Sequence, residues 1–289
     1  MVLERLVIVG PGRMGLALGY ALVQAEAVRS LVYMGRRPDP PSHPLFHQGF
    51  AEYRYGLERP HEGTTALVLT VPDPVLPEIA AALAARGPAP EDCPVIHTSG
   101  VQGGEPLAAL NRMGYRVGTL HPFQDIAHPI TGADRLQGAG FAVSGEREAL
   151  SVIRRMVDAL GGRTLLIPTH RRPLYHAAGV LGSNYLVVLM SEALRLLVQA
   201  GIPEEDAFPS LVALARGAVE NVAELGFSTA LTGPIGRGDS DTVDLHLRTL
   251  APADASLYAD LGRLTLERTR AVVPPEVADQ LETLFQRHS

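Results

Sequence analysis

Four consecutive apolar residues run straight into a glycine turn at residues 6–15, LVIVGPGRMG, and this join constrains the chain more than any other stretch. Such a run reads as a parallel strand buried on both faces. Gly10, Gly12 and Gly15 follow at the G-x-G-x-x-G spacing, and an apolar helix starts within it. Gly10 permits the tight turn, Gly12 removes a Cβ where a pyrophosphate approaches, and Gly15 lets the helix lie close on the strand. The helix N-terminus that follows Pro11 offers backbone N–H groups near Arg13 and Met14, and a positive dipole end, to phosphate. A glycine-rich turn without a ligand is the alternative, and the strand before it and helix after it favour a dinucleotide site.

Bulk properties narrow the class. At 289 residues the chain has room for two domains. Its net charge of -6 leaves no basic footprint, so nucleic acid is not an expected partner. No membrane span is expected, because the apolar region 177–198 is interrupted by Asn184, Glu192 and Arg195. The glycine fingerprint at residue 10 leaves no room for a secretion signal, so a cytoplasmic protein is expected. Cys93 is the single cysteine, which excludes an intramolecular disulfide and a cysteine metal cluster; it reads as a buried, inert thiol. No metal site is expected. The chain has no lysine, so all 25 basic residues are arginine, and Schiff-base chemistry on a lysine is excluded.

The chain in order reads as alternating strands and helices to about residue 168. After the strand 31–34, where an NAD site usually carries an acidic residue, stand Gly35, Arg36 and Arg37. A guanidinium binds a 2′-phosphate bidentately where a carboxylate would repel it, which points to NADP; two solvated loop arginines are the alternative. Residues 38–60 read as irregular. The strand 65–70 ends in Thr70-Val71-Pro72-Asp73-Pro74 and a helix follows over 75–85, while the strand 94–98 ends in Ser99-Gly100. Both turns lie at the carboxyl ends of parallel strands, the edge where open α/β sheets bind ligands. The strand 116–120 leads to His121-Pro122-Phe123, then a loop over 124–140 and a last unit of strand 141–144, helix 146–160 and strand 164–168. The result is a doubly wound, mostly parallel α/β domain over 1–168, binding the dinucleotide, followed by an all-α domain over 169–289. In the latter, 173–200 reads as one helix of about 40 Å. Helices over 203–225, 240–250, 254–271 and 275–288 follow, with a loop at 226–239.

Three stretches carry candidate chemistry. In the stretch Tyr175-His176-Ala177-Ala178-Gly179 running into Ser183-Asn184-Tyr185, His176, Val180, Ser183, Asn184 and Val187 share one face of a helix, so the polar groups either satisfy one another and the neighbouring backbone or line a cleft beside the nicotinamide. The run Thr232-Gly233-Pro234-Ile235-Gly236-Arg237-Gly238-Asp239, with Thr242 beyond it, reads as an anion site in which Arg237 clamps a carboxylate, or as a well-capped turn. His121 sits at the carboxyl edge, where an imidazole donates to a carbonyl or imine or serves as a structural donor. His97, His128 and His170 read as structural.

With these residues placed, the chain resembles the uncharacterised Rossmann-like oxidoreductases that carry a helical C-terminal domain of unknown function, relatives of pyrroline-5-carboxylate reductase, prephenate dehydrogenase and ketopantoate reductase. VGPGRMG, TVPD, HTSG, LHPF, HAAG with SNY, and TGPIGRGD carry the resemblance over nearly the whole chain. It implies a 6-phosphogluconate dehydrogenase-like arrangement of sheet domain and helical domain, and a homodimer paired through the latter. It also implies that the loop from Thr232 through Asp239 to Thr242 holds a substrate carboxylate, as the glycine-rich loop of pyrroline-5-carboxylate reductase does. His121-Pro122 resembles the His-Pro near the substrate site of prephenate dehydrogenases. Ketopantoate reductases use a lysine with an asparagine, and here Asn184 has no lysine to accompany it. The expectation is an NADP-dependent oxidoreductase acting on a small carboxylated carbonyl or imine compound, with an NADP(H)-sensing regulator as the rival from another class.

Overall fold

The computed structural model describes residues 2–91 and 93–288, and the chain divides into two compact units, Met1–Val187 and Val188–Ser289. In the first, β1 (Leu3–Val9), α1 (Arg13–Gln24), β2 (Val28–Gly35), α2 (Pro44–His47), β3 (Glu52–Tyr55), β4 (Ala66–Leu69), α3 (Leu76–Ala84) and β5 (Pro94–His97) are followed by α4 (Ala108–Arg112), β6 (Arg116–Pro122), α5 (Pro129–Leu136), β7 (Gly140–Gly145), α6 (Arg147–Ala159), β8 (Arg163–Leu166) and α7 (Arg172–Gly182). The strands form one sheet in the order β3-β2-β1-β4-β5-β6-β7-β8. All neighbours are parallel except β6 and β7.

The apolar run of β1 is continuous because both faces of the sheet are covered. Leu6 and Ile8 enter one core with Leu18 and Leu22 of α1 and Ile153 and Met156 of α6, while Val7 and Val9 enter the other with Leu76 and Leu83 of α3 and Leu110 of α4. Each such side chain, fully buried, contributes about 1.5–3 kcal/mol. The strand order reverses between β1 and β4, so the turns after these two strands face each other across a crevice at their carboxyl ends.

Several expectations need correction. The irregular stretch 38–60 holds α2 and the edge strand β3, which pairs with β2 through Tyr53 and Arg54. Its half-polar Glu-Tyr-Arg-Tyr reads poorly because only an edge strand tolerates such a pattern. The loop 124–140 holds α5, whose Gly132 lies against Ile126 and Ala17. The single helix over 173–200 breaks at Ser183 (φ -126°, ψ -71°) into α7 and α8 (Asn184–Gln199). The shared face expected for His176, Val180, Ser183, Asn184 and Val187 therefore ends at the break. The first compact unit runs past residue 168 because α7 is built onto the sheet: Arg172 is buried and donates to the Ser99 carbonyl at 3.0 Å.

In the second unit α9 (Glu204–Ala230) kinks at Gly226 (φ 74°, ψ 167°), and α10 (Pro234–Arg237), α11 (Ser240–Thr249), α12 (Pro252–Thr269) and α13 (Pro275–Gln286) follow. Their core gathers Ile235, Val243, Leu247, Leu266, Leu281 and Phe285. Gly262 permits it, since a Cβ there would lie 2.6 Å from the Phe285 ring. By contrast α8 buries no residue and α9 only Ala207 and Leu211. By length and composition alone the helical run Thr169–Gln199 suffices to cross a membrane, where none was expected. Its first half, however, is fastened to the sheet through Arg172, and its second carries Arg195 ion-paired with Glu192 at 2.8 Å and Asp254 at 2.5 Å.

Candidate active site

The glycines after β1 meet three different surroundings. Gly10 has φ +101°, and a Cβ there would press on the Thr70 carbonyl at 3.0 Å. Gly15 is closed in, because a Cβ would strike the Gly10 carbonyl and the Thr70 hydroxyl, whereas nothing among the described residues lies within 4 Å of a Cβ at Gly12. The Thr70 hydroxyl donates to the Gly10 carbonyl at 2.6 Å, and the Tyr33 hydroxyl to the Gly15 carbonyl at 2.8 Å, so the turn is held from both adjacent strands. At its N-terminus α1 has no capping side chain and no acidic residue in its first turn. The free N–H groups there suit an anion, and open space at Gly12 is where a pyrophosphate would approach. Val71 and Pro72 continue the facing turn after β4.

At the end of β2, Gly35 is packed under the Tyr53 ring and Tyr53 donates to the Arg37 carbonyl at 2.5 Å. Arg36 and Arg37 are exposed, and among the described residues neither is ion-paired. Unpaired guanidinium groups at this corner fit a 2′-phosphate.

Further along the same edge a polar cluster forms around the turn after β5. The Ser99 hydroxyl donates to Asp73 at 2.6 Å and accepts from the N–H groups of Gln102 at 3.1 Å and Val101 at 3.3 Å. Nδ1 of His97 accepts from the Ser99 N–H at 3.1 Å, which leaves its Nε2–H to donate to the Gly103 carbonyl. His97 is thus a neutral structural donor, and burial lowers its pKa. Arg172 lies fully buried beneath this turn, and its Nε has no hydrogen-bond partner among the described residues. No carboxylate pairs with it among the described residues, so its charge biases the edge toward anions.

His121, at the end of β6, makes a 2.8 Å hydrogen bond through Nδ1 to the Tyr175 hydroxyl and lies with its ring 6.1 Å from that of His176. Gly100 makes room for both imidazoles: a Cβ there would sit 2.7 Å from Nε2 of His121 and 2.7 Å from the His176 ring. Burial first, then the positive charges that His176 and Arg172 can carry, hold the pKa of His121 down at about 4. At pH 7 His121 is therefore a neutral imidazole offering a ring N–H. The unfolded chain takes up a proton near pH 6.5, so the stability linked to this site is present above that pH and lost as the pH falls toward 4. Between pH 7 and pH 5 the wild type should lose about 2 kcal/mol more than His121→Gln. Denaturant midpoints across that range check this, and parallel curves for the two proteins would refute it.

The structure brings together Gly10, Gly12, Gly15, Thr70, Ser99, His121 and His176 along one sheet edge. Ser183 stands at the helix break, half-buried, and Asn184 is exposed; among the described residues neither side chain hydrogen-bonds to the imidazole pair. In the second unit Asp239 caps α11, accepting from the Thr242 N–H at 3.1 Å and its hydroxyl at 2.7 Å, and these bonds lower its pKa. Thr232 and Arg237 are exposed, Pro234 opens α10, and Gly233 and Gly238 take φ +109° and +72°. Asp239 thus caps the helix as the capped-turn alternative has it, whereas Arg237 has no ion-pair partner among the described residues. Cys93 is buried and its thiol is pushed up to about 12, an inert group as expected.

Sequence reasoning named Asp73 and Gly100 only as members of turns at the ligand edge and Tyr175 only as the start of the His176 stretch, and it passed over Arg172. One signal was available: Arg172, Tyr175 and His176 stand at i, i+3 and i+4, one face of a helix.

Comparison with known proteins agrees with the fold. Residues 3–122 match the Rossmann-like domain and residues 139–265 the domain of unknown function DUF2520. No curated protein matches the chain. Among solved structures, protein TM1727 from Thermotoga maritima is similar with a TM-score of 0.70 and 21% identity, over 92% of this chain and 98% of that one. Pyrroline carboxylate reductase from Plasmodium falciparum, solved with NADP bound, is similar with a TM-score of 0.58 and 13% identity, over 99% and 97%. The reductive aminase from Aspergillus terreus, solved with NADPH and ethyl-5-oxohexanoate, is similar with a TM-score of 0.59 and 18% identity, over 99% and 93%. At these identities the likeness is one of fold.

Proposed function

Because this chain joins a Rossmann-like domain to a DUF2520 domain, we propose that it is an NADP-dependent oxidoreductase, transferring a hydride to or from the carbonyl or imine carbon of a small carboxylated compound. The observation that carries the reading is the corner between β1 and β2, where open space at Gly12 and an uncapped α1 accompany Arg36 and Arg37, neither ion-paired among the described residues. The nicotinamide, when bound, supplies hydride transfer. The protein binds and orients: backbone N–H groups from Arg13 to Gly15 hold the pyrophosphate, Arg36 and Arg37 the 2′-phosphate, and the turns at Thr70 to Pro72 and at Ser99 line the crevice. His121 offers a neutral ring N–H to the substrate oxygen or nitrogen, with His176 at its side. Arg237, exposed and without an ion-pair partner among the described residues, is a guanidinium suited to a carboxylate. The structures similar in fold include proteins with NADP, NADPH or NAD+ bound, which supports a nicotinamide dinucleotide, and the choice of NADP rests on Arg36 and Arg37.

A second copy of the chain is the partner proposed for the exposed apolar faces of α8 and α9, where Val188, Phe208, Leu214 and Phe227 are exposed. Sedimentation should give a mass of two chains at micromolar concentration, and Leu214→Glu should shift it toward one; a monomeric wild type would refute the pairing. For the reaction, a screen of carboxylated ketones and imines against NADPH, read as loss of nicotinamide absorbance, tests the reading. Turnover on a member of that class is expected. NADPH binding without turnover on any of them would leave a dinucleotide-binding regulator instead.

A further inference from the structure

The geometry points to Tyr175 as a positioning residue: its hydroxyl donates to Nδ1 of His121 and fixes that imidazole as the Nε2–H tautomer, with the N–H turned to the Gly100 backbone. The inference deepens the oxidoreductase reading and rests on it for the use made of the N–H, but not for the tautomer itself.

Tyr175 and His121 lie 54 residues apart in sequence and meet at 2.8 Å, one from α7 and one from the end of β6. Two ring contacts accompany the hydrogen bond: the tyrosine packs on Phe123 at 5.0 Å and stands edge-on to the His121 ring at 5.5 Å, with an interplanar angle of 85°. Which group donates follows from their chemistry. A phenol is a stronger acid than a neutral imidazole N–H, and an imidazole nitrogen lone pair accepts better than a phenol oxygen. Burial raises the Tyr175 pKa to about 12, so the hydroxyl keeps its proton at any pH at which the protein works. His121 is neutral there and carries a single ring proton. With Nδ1 accepting from Tyr175, that proton must be on Nε2.

The charged and titratable groups facing His121 are consistent with this: Arg172, Tyr175 and His176 from α7, and Asp73 from the turn after β4. A ring held in the other tautomer would present a lone pair beside Gly100 and could only accept. The substrate oxygen or nitrogen of the proposed reaction needs a donor. Tautomer control of this kind has large consequences elsewhere, since the wrong histidine tautomer in a serine protease triad costs about 10⁴-fold in rate.

Tyr175→Phe keeps the packed ring and removes the hydroxyl. In ¹⁵N-edited NMR of the full-length wild type at pH 7, the His121 ring should show a pyridine-like Nδ1 and a pyrrole-like Nε2. Tyr175→Phe should give a mixture of tautomers, with its other resonances unchanged as the control for folding. With a substrate in hand, kcat should fall at least tenfold in Tyr175→Phe while KM changes less than about threefold, the pattern of a group acting on the chemical step. A pyrrole-like Nδ1 in the wild type, or a tautomer unaltered by Tyr175→Phe, would overturn the inference. Because the NMR arm needs no turnover, an expected tautomer in a protein that transfers no hydride would sink the oxidoreductase reading and leave the role of Tyr175 standing.

Discussion

Replacing Arg36 and Arg37 together by serine should weaken NADPH binding about a hundredfold or more and leave NADH binding within about threefold, because each charge-assisted contact to a phosphate contributes roughly 1.5–3 kcal/mol. The two nucleotides differ only in the 2′-phosphate, so the ratio isolates the groups that meet it. Both arginines are exposed at the end of β2, and among the described residues no carboxylate competes for them. Removing them should cost no measurable stability, as surface substitutions away from caps and ion pairs usually do not. Fluorescence or calorimetric titration of both nucleotides against both proteins gives the ratio. Equal losses for NADPH and NADH would remove the assignment of the 2′-phosphate to this corner.

The second large effect separates two glycines three residues apart. Gly15→Ala should destabilise the fold by about 2–3 kcal/mol, since its Cβ would strike the Gly10 carbonyl and the Thr70 hydroxyl, and backbone cannot step aside cheaply. Gly12→Ala should stay within about 1 kcal/mol of the wild type, because its φ of -86° suits any residue and its Cβ would point into open space. Binding should reverse the order of the intact proteins: Gly12→Ala should lose NADPH affinity at least tenfold, roughly 1.4 kcal/mol, because the methyl occupies the space a pyrophosphate needs. Urea midpoints and nucleotide titrations on both variants make the comparison. A destabilised Gly12→Ala that still binds NADPH normally would mean the turn is a packing device and no more.

What could be read from the sequence follows the range of the forces involved. The strands β1, β4 and β5 are short apolar runs because both faces are covered, a local signature of a buried parallel sheet. The glycine turn is likewise written in consecutive residues. Edge strand β3 and helix α5 were not legible, because the first is half-polar and the second rests on Gly132 and Ala133 packing onto α1, contacts between distant positions. The break at Ser183 carries no proline, and the apolar pattern on either side of it continues.

The candidate site divides in the same way. His121 was placed by its position after a parallel strand, and Ser99 by the same rule. The pairings that govern them were not: Asp73 reaches Ser99 across 26 residues, Tyr175 reaches His121 across 54, and Arg172 reaches the Ser99 carbonyl across 73. Such pairings are set by the strand order and the docking of α7, which no local spacing encodes. The glycine at position 100 illustrates the point, since HTSG marks a turn in sequence but only the structure shows two imidazoles packed against it.

Calorimetric titration of NADPH into the full chain, followed by a crystal structure of that mixture, tests the central claim most directly. The account predicts one binding site per chain, with the pyrophosphate at the N-terminus of α1 over Gly12 and the 2′-phosphate between Arg36 and Arg37. No heat of binding under any condition, or a nucleotide found away from the β1 to β4 crevice, would contradict it.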